Sequence, residues 1–140
     1  MIQRYRTRLS GPLLDRIDLH VDVPRVPHKD LADPTDGESS CAIRARVNHA
    51  RAVQRQRLAP FGLHSNANMQ TRHIRRFCPL DAAGSALLAQ ITDRLGLSAR
   101  SYTRILKVAR TIADLAQCEQ IAVGHLAEAI QYRYLDRTQI

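Results

Sequence analysis

The sequence predicts a mainly α fold, a small antiparallel helical bundle preceded by an incomplete α/β segment. Three observations carry this reading. Hydrophobic residues make up 44% of the 140, but aromatics only 4%, and Trp is absent, so the core must be built from Leu, Ile, Val and Ala. Aliphatic cores suit helices packed on helices better than a sandwich or barrel. From Glu38 onward, apolar residues recur with helical periodicity, and capping residues, Pro or Gly bracket the runs. Before Gly37 the pattern is irregular and only one short stretch alternates. The length fits one domain, or one domain with an extension.

Arg4, Arg6 and Arg8 open the chain, and Gly11-Pro12 punctuates it. Leu19-His-Val-Asp-Val23 alternates as a half-buried strand does. Pro24, Pro27 and Pro34 make the next stretch a linker. A lone strand leaves its N–H and C=O groups without ladder partners. The segment before Pro34 is therefore expected either to dock on something outside these residues or to be disordered, which hints at truncation.

Ser39 or Ser40 can cap a helix running to about Leu58, with Ile43, Val47, Ala50 and Val53 on its inner face. Pro60 and Gly62 stop it. Asn66 is the expected cap of a shorter helix through Met69, Ile74 and Phe77, stopped by Pro79. Asp81 caps the next, where Leu87, Leu88, Ile91 and Leu95 line one side and Gly96 ends the run. Ser98 caps the clearest helix, residues 99–117, with Tyr102, Ile105, Leu106, Ala109, Ile112, Ala113 and Ala116 as its buried stripe. A last helix carries Leu126, Ala127 and Ile130, and the bundle is expected to run to about Tyr134.

Lys plus Arg total 21 against 13 Asp plus Glu, a formal charge of +8, and only Lys29 and Lys107 are lysines. Arginine favours planar, bidentate contact with phosphate, which points towards nucleic acid or nucleotide partners. Cys41, Cys78 and Cys118 stand far apart, and no Cys or His pair has metal-ligand spacing, so no metal site is expected. Reduced structural thiols, no signal-peptide pattern and no spanning apolar run lead to the expectation of a cytoplasmic chain with no membrane partner.

Three runs carry a resemblance. They are Ser10-Gly-Pro-Leu-Leu-Asp-Arg-Ile-Asp-Leu-His20, Leu95-Gly-Leu-Ser-Ala-Arg-Ser-Tyr-Thr-Arg-Ile-Leu-Lys-Val-Ala-Arg-Thr-Ile-Ala-Asp-Leu115 and His125-Leu-Ala-Glu-Ala-Ile-Gln-Tyr-Arg133, with Gly37-Glu-Ser-Ser40 and Asn66-Ala-Asn-Met69 between them. Together they resemble the ComM (YifB) branch of magnesium-chelatase-like AAA+ ATPases over essentially the whole chain. The resemblance implies that residues 1–37 are the C-terminal remnant of the AAA+ core with a linker, and that residues 38–140 are the helical lid. It implies that Arg16 is an arginine finger reaching ATP on a neighbouring protomer, with Asp15 supporting it. A fixed planar cation suits charge spread over transferring phosphoryl oxygens. It further implies that Arg100, just after the Ser98 cap, contacts the phosphates of the protomer's own ATP, with Arg104 one turn later assisting.

No GxxxxGK[ST] phosphate loop and no apolar run ending in Asp-Glu occur. ATP and magnesium are thus expected as cofactors of the intact protein and not as tight ligands of this stretch, which is expected to be monomeric and inactive alone. Arg44, Arg51 and Arg55 share a helix face opposite the apolar stripe, and Arg72, Arg75 and Arg76 form a second basic cluster. Such faces are commonly just solvated. Their functional reading is contact with DNA phosphates, without interleaved aromatic residues to stack bases. The resemblance implies an ATP-driven ring of identical copies, a helicase promoting branch migration in natural transformation. The rivals are the motor of a magnesium chelatase and a stand-alone helical DNA-binding module.

Overall fold

The computed structural model describes Leu13, residues 16–27 and residues 37–133. Among these are five α-helices: α1 (Ser40–Leu58), α2 (Thr71–Phe77), α3 (Ala82–Leu95), α4 (Ala99–Leu115) and α5 (Val123–Gln131). Two single turns of 3-10 helix, Ala59–Phe61 and Asn66–Asn68, lie between α1 and α2. The mainly helical class is as predicted, and no helix among the described residues is long and apolar enough to cross a membrane.

Local chemistry sets most of the boundaries. Ser39 Oγ accepts the Ala42 N–H at 3.2 Å and starts α1. Pro60 cannot continue an α-helical ladder, so the chain tightens into the 3-10 turn and leaves it at Gly62, whose φ of 67° is left-handed. Asp81 Oδ1 accepts the Gly84 N–H at 2.7 Å to start α3, and Gly96, at φ 58°, ends it. Ser98 Oγ accepts the Ser101 N–H at 3.1 Å to start α4.

Helix α4 is the hub, packing on α1, α2 and α5, while α3 also packs on α5. Ala109 and Ala113 have no exposed surface, and such small side chains let neighbouring helices approach closely. Ile105, Leu106, Leu58, Leu88, Leu126 and Ile130 fill the space around them.

Four sequence expectations are corrected. Asn66 does not cap α2, because its groups are engaged elsewhere: its N–H donates to Gln54 Oε1 at 3.2 Å and its Nδ2 to Asp114 Oδ2 at 2.8 Å. α2 instead begins after Gln70, whose N–H donates to His73 Nδ1 at 3.1 Å. In α1, burial begins only at Ala50; Ile43 and Val47 are 40% and 37% exposed, because only the C-terminal half of the helix lies on the bundle. α4 stops at Leu115, so Ala116 is exposed. The Cys118 N–H bonds Ala113 O at 2.8 Å and the Gln117 N–H bonds Asp114 O at 3.2 Å, closing the helix with Gln117 left-handed at φ 58°. Tyr102 is likewise exposed, on the outer side of the α4 stripe.

The fourth correction concerns residues 19–23, where no strand forms. With no ladder beside them, Leu19, Val21 and Val23 remain exposed. Only His20 in this run is buried, and its N–H donates to Tyr132 O at 2.7 Å. The expectation of disorder before Pro34 falls, for residues 1–12, 14, 15 and 28–33, outside the described residues, as does the expected end of the bundle at Tyr134.

Cys78 is buried, while Cys41 and Cys118 are exposed. Burial pushes the Cys78 thiol up to about 11. The thiolate is the reactive form, so at pH 8 an alkylating reagent should modify Cys41 and Cys118 and spare Cys78 until the fold is denatured. Peptide mass analysis before and after urea would show the difference.

Candidate functional site

Arg100, Arg104 and Lys107 follow one another along α4 at spacings of four and three residues, which places them on one face. They line a groove of about 620 Å³ together with Asp18, Leu19 and Tyr132. Arg100 is exposed in the first turn, and Arg104 is half-buried and ion-paired with Asp18. Lys107, which sequence reasoning passed over, donates from Nζ to Ala67 O at 2.8 Å. Burial and the neighbouring Arg104 hold its ammonium below the usual lysine range. Asp18 and Glu128 also line the groove and Asp18 offsets Arg104, so the cation left exposed and without a carboxylate partner among the described residues is Arg100, at the positive end of the helix, where an anion is favoured.

Arg16 is exposed, and its N–H closes a turn on Leu13 O at 3.0 Å; Asp15 lies outside the described residues. The residues just after Arg16 are held against the bundle. Arg133 Nη1 donates to Ile17 O, Asp18 pairs with Arg104, and the His20 N–H reaches Tyr132 O. Arg133 is 1% exposed, and its Nη2 also donates to Ser101 Oγ at 3.0 Å. The two arginines singled out for phosphate chemistry are thus joined through a short chain of direct contacts.

The two basic clusters face different surroundings. Arg44, Arg51 and Arg55 are exposed on α1, as expected. They flank the buried stripe of Ala50, Gln54 and Leu58 instead of standing opposite it, and Arg51 and Arg55 border a groove shared with Thr111 and Leu115 of α4. Arg72, Arg75 and Arg76 are exposed on α2. Arg75 borders a separate groove between α2, α3 and α4. The Arg76 guanidinium lies 5.4 Å from the Phe61 ring centre and 5.3 Å from that of Phe77. The expectation of a basic surface without aromatic companions is therefore corrected. Phe61 and Phe77 are distant in sequence and meet edge-to-face at 5.7 Å only because the turn at Pro60 and Gly62 folds α2 back towards α1.

Residues 37–133 match the family model described as magnesium chelatase, subunit ChlI C-terminal, and residues 1–31 match that of magnesium chelatase, subunit ChlI. The chain is 44% identical over 137 residues to Competence protein ComM of Haemophilus influenzae, covering 97% of this chain and 26% of that protein. It is 41% identical over 140 residues to YifB of Salmonella typhimurium and 43% identical over 138 residues to YifB of Escherichia coli, covering 98% of this chain and 26% of the relative in each case. The chain belongs to the ComM/YifB family of magnesium-chelatase-like AAA+ proteins. It spans about a quarter of the length of the curated relatives it matches. The boundary between the two family matches, after residue 31 and before residue 37, falls in the Pro-rich stretch that reads as a linker.

Beneath the surface of this ComM/YifB-family bundle lies a polar network that sequence reasoning missed. Asp114 has no exposed side-chain surface. Its carboxylate accepts from Arg57 Nη1 at 3.1 Å, Arg110 Nε at 3.1 Å and Asn66 Nδ2 at 2.8 Å. Arg110 also donates to Glu119 O at 2.7 Å and Cys118 O at 2.6 Å. The network ties α1, the Asn66 turn, α4 and the turn after α4 into one unit. One signal was available in the sequence: Arg110 and Asp114 are spaced four apart, each next to an alanine of the buried stripe. Nothing local marks Arg57 or Arg133 as buried partners.

Arg57→Ala removes one of the three donors of Asp114 while Arg110 and Asn66 remain. It should therefore lower the stability of the bundle by about 1.5–3 kcal/mol, the range for hydrogen bonds to a charged group, measured as a shift of the urea unfolding midpoint. Arg55→Ala, one face away and exposed, should leave the midpoint almost unmoved.

Proposed function

We propose that this chain supplies the lid and the inter-subunit arginine of an ATP-driven AAA+ DNA motor, acting as a branch-migration helicase when incoming single strands integrate during natural transformation. One observation carries the reading. The segment that begins with exposed Arg16 comes down directly on the start of the helix bearing Arg100 and Arg104. Arg100 and Arg104 are the phosphate-facing residues of the protomer's own site. Arg104 shares its charge with Asp18, which leaves exposed Arg100 as the main phosphate contact. Arg16, supported by Asp15, reaches the nucleotide of the neighbouring copy in a ring.

ATP and magnesium are the cofactors this reading implies. The groove fits phosphate oxygens at Arg100, which is exposed at the helix start, with Arg104 and Lys107 along the same face and Asp18 and Glu128 opposing them in charge. Among the described residues no three His, Cys, Asp or Glu side chains gather to hold a metal ion, so no magnesium ligand is assigned here. When bound, ATP would supply the phosphoryl group whose transfer drives the motor. Arg100 would hold its phosphates, and Arg16 of the neighbouring copy would steady charge on the transferring oxygens.

The name of the Haemophilus influenzae relative, a competence protein, favours DNA transformation. The family models are named for magnesium chelatase, which keeps a second reading, a motor for metal insertion into a porphyrin. ATPase assays of the full-length protein decide between them: stimulation by branched DNA supports the first, stimulation by porphyrin the second. DNA binding with no turnover by the full-length protein would leave a helical DNA-binding module.

In the full-length protein, Arg16→Ala should lower the ATPase rate by roughly 10³–10⁵ while nucleotide affinity changes far less. Mixing that variant with one disabled in the phosphate loop should restore part of the rate, because a mixed ring pairs one good finger with one good site. Mixed rings that form and stay inactive would sink the trans assignment. The 140-residue chain alone should show no turnover above background.

DNA binding by the chain should be weak, indifferent to sequence and steeply dependent on salt, at about 0.7–0.9 in log–log slope per phosphate contact. Changing Arg44, Arg51 and Arg55 together to Gln should flatten the slope by about two to three units. An unchanged slope would return these arginines to the role of solvated surface charge. The Arg76 stack on Phe61 and Phe77 offers a planar surface for a base, so Arg76→Ala should remove a part of the affinity that persists at high salt.

A further inference from the structure

We propose that Arg133 is a positioning residue that makes the Arg16 segment and the Arg100 helix move as one body, so that phosphate contact in one protomer's groove is transmitted to the arginine that reaches the next. The proposal rests on the reading of Arg16 and Arg100 given above.

Arg133 is 1% exposed. A guanidinium is tolerated at that depth only when its N–H groups are satisfied. Two of them go to two different parts of the molecule. Nη1 donates to the carbonyl of Ile17, the residue after Arg16, and Nη2 donates to the hydroxyl of Ser101, the residue after Arg100. One rigid side chain therefore grips the immediate chain neighbour of each arginine. Ser101 is itself 1% exposed and lies in the first turn of α4, where the helix cannot flex without disturbing the Ser98 cap. Arg133 does not line the groove. Any effect on the reaction must pass through the residues it holds.

Two further attachments remove the freedom that a single grip would leave. Asp18 pairs with Arg104, one turn along α4, and the His20 N–H bonds Tyr132 O at 2.7 Å. Three contacts within residues 17–20 fix both position and direction, and the chain leaves the bundle surface only afterwards, through exposed residues 21–27. The fork geometry is essential. A lysine at this position has a single point of donation and cannot span both acceptors in one fixed arrangement.

The test has two arms. In the 140-residue chain, amide exchange at His20 reports the attachment directly. Arg133→Met should raise it by about tenfold or more, the factor carried by a lost charge-assisted hydrogen bond, while Ala109 and Leu126 stay protected. If Arg133→Met loosens the whole bundle, Ser101→Ala removes one acceptor without removing the buried cation and should still raise exchange at His20. Unchanged exchange at His20 in an intact bundle, in either variant, would overturn the proposal.

In the full-length protein, Arg133→Met should lower kcat by about fivefold or more, the lower end of coupling between sites, with KM for ATP little changed. Arg133→Lys should recover only part of the loss. The Arg16→Ala/Arg133→Met double variant should turn over no more slowly than Arg16→Ala alone, because a finger that is absent cannot be mispositioned. Losses that multiply would show that Arg133 acts apart from Arg16, and the proposal fails. A wild-type full-length protein without ATPase activity would overturn the functional reading, and this proposal with it. That case is distinguishable because exchange at His20 would still respond to Arg133.

Discussion

Asp114 imposes the constraint on which the helical arrangement depends. Its side chain has no contact with solvent, so the charge it carries must be matched by donors held in place by the fold. Those donors come from three separate stretches, Arg57 at the end of α1, Asn66 in a 3-10 turn and Arg110 one turn back on α4. The angle of α1 against α4 is thereby specified by directed bonds as well as by apolar contact. Hydrophobic packing alone tolerates many near-equivalent arrangements, whereas a carboxylate with fixed lone pairs accepts few. The same network explains why Asn66 gives up helix capping, and why α4 ends where Arg110 can reach the carbonyls of Cys118 and Glu119.

α4 carries a different burden at its other end. Ser101, Arg104 and Lys107 turn its first half towards the segment after Arg16 and towards the groove that Arg100 opens onto. In the middle of the helix, Ala109 and Ala113 have no exposed surface. A helix packed in this way moves as a rigid rod, so the polar network at one end and the arginine contacts at the other share one frame. The ComM/YifB family membership of the chain gives the arrangement its setting.

Much of the candidate site was legible from local pattern. Arg100 follows a Ser cap, and its spacing to Arg104 puts both on one side of a helix. Arg16 was visible only through the run around it, since an exposed arginine near a turn has no distinguishing physical signature of its own. Arg44, Arg51 and Arg55 share a face because helical spacing says so, but how that face sits relative to the core depended on which half of α1 meets α4. The Arg76–Phe61–Phe77 cluster was not legible, because it needs two phenylalanines sixteen residues apart in sequence to meet after a reversal of the chain.

The sequence by itself determined the helix starts at Ser39, Asp81 and Ser98, the stops at Pro60 and Gly96, and the aliphatic stripe of α4. These are short-range effects: a cap oxygen reaches an N–H two or three residues away, and proline or glycine acts on its own backbone. Only the tertiary structure decided that Arg110 and Arg133 are buried and Arg57 half-buried, while the arginines of the α1 and α2 basic clusters are solvated. It also decided that residues 19–23 attach through one backbone hydrogen bond in place of a ladder, and that Asn66 serves Asp114 in place of α2. The reason is common to all of these. Where a charged or hydrogen-bonding group finds its partner dozens of residues away, the local sequence records the group but not the partner, and the competition between partners is settled only when the helices come together.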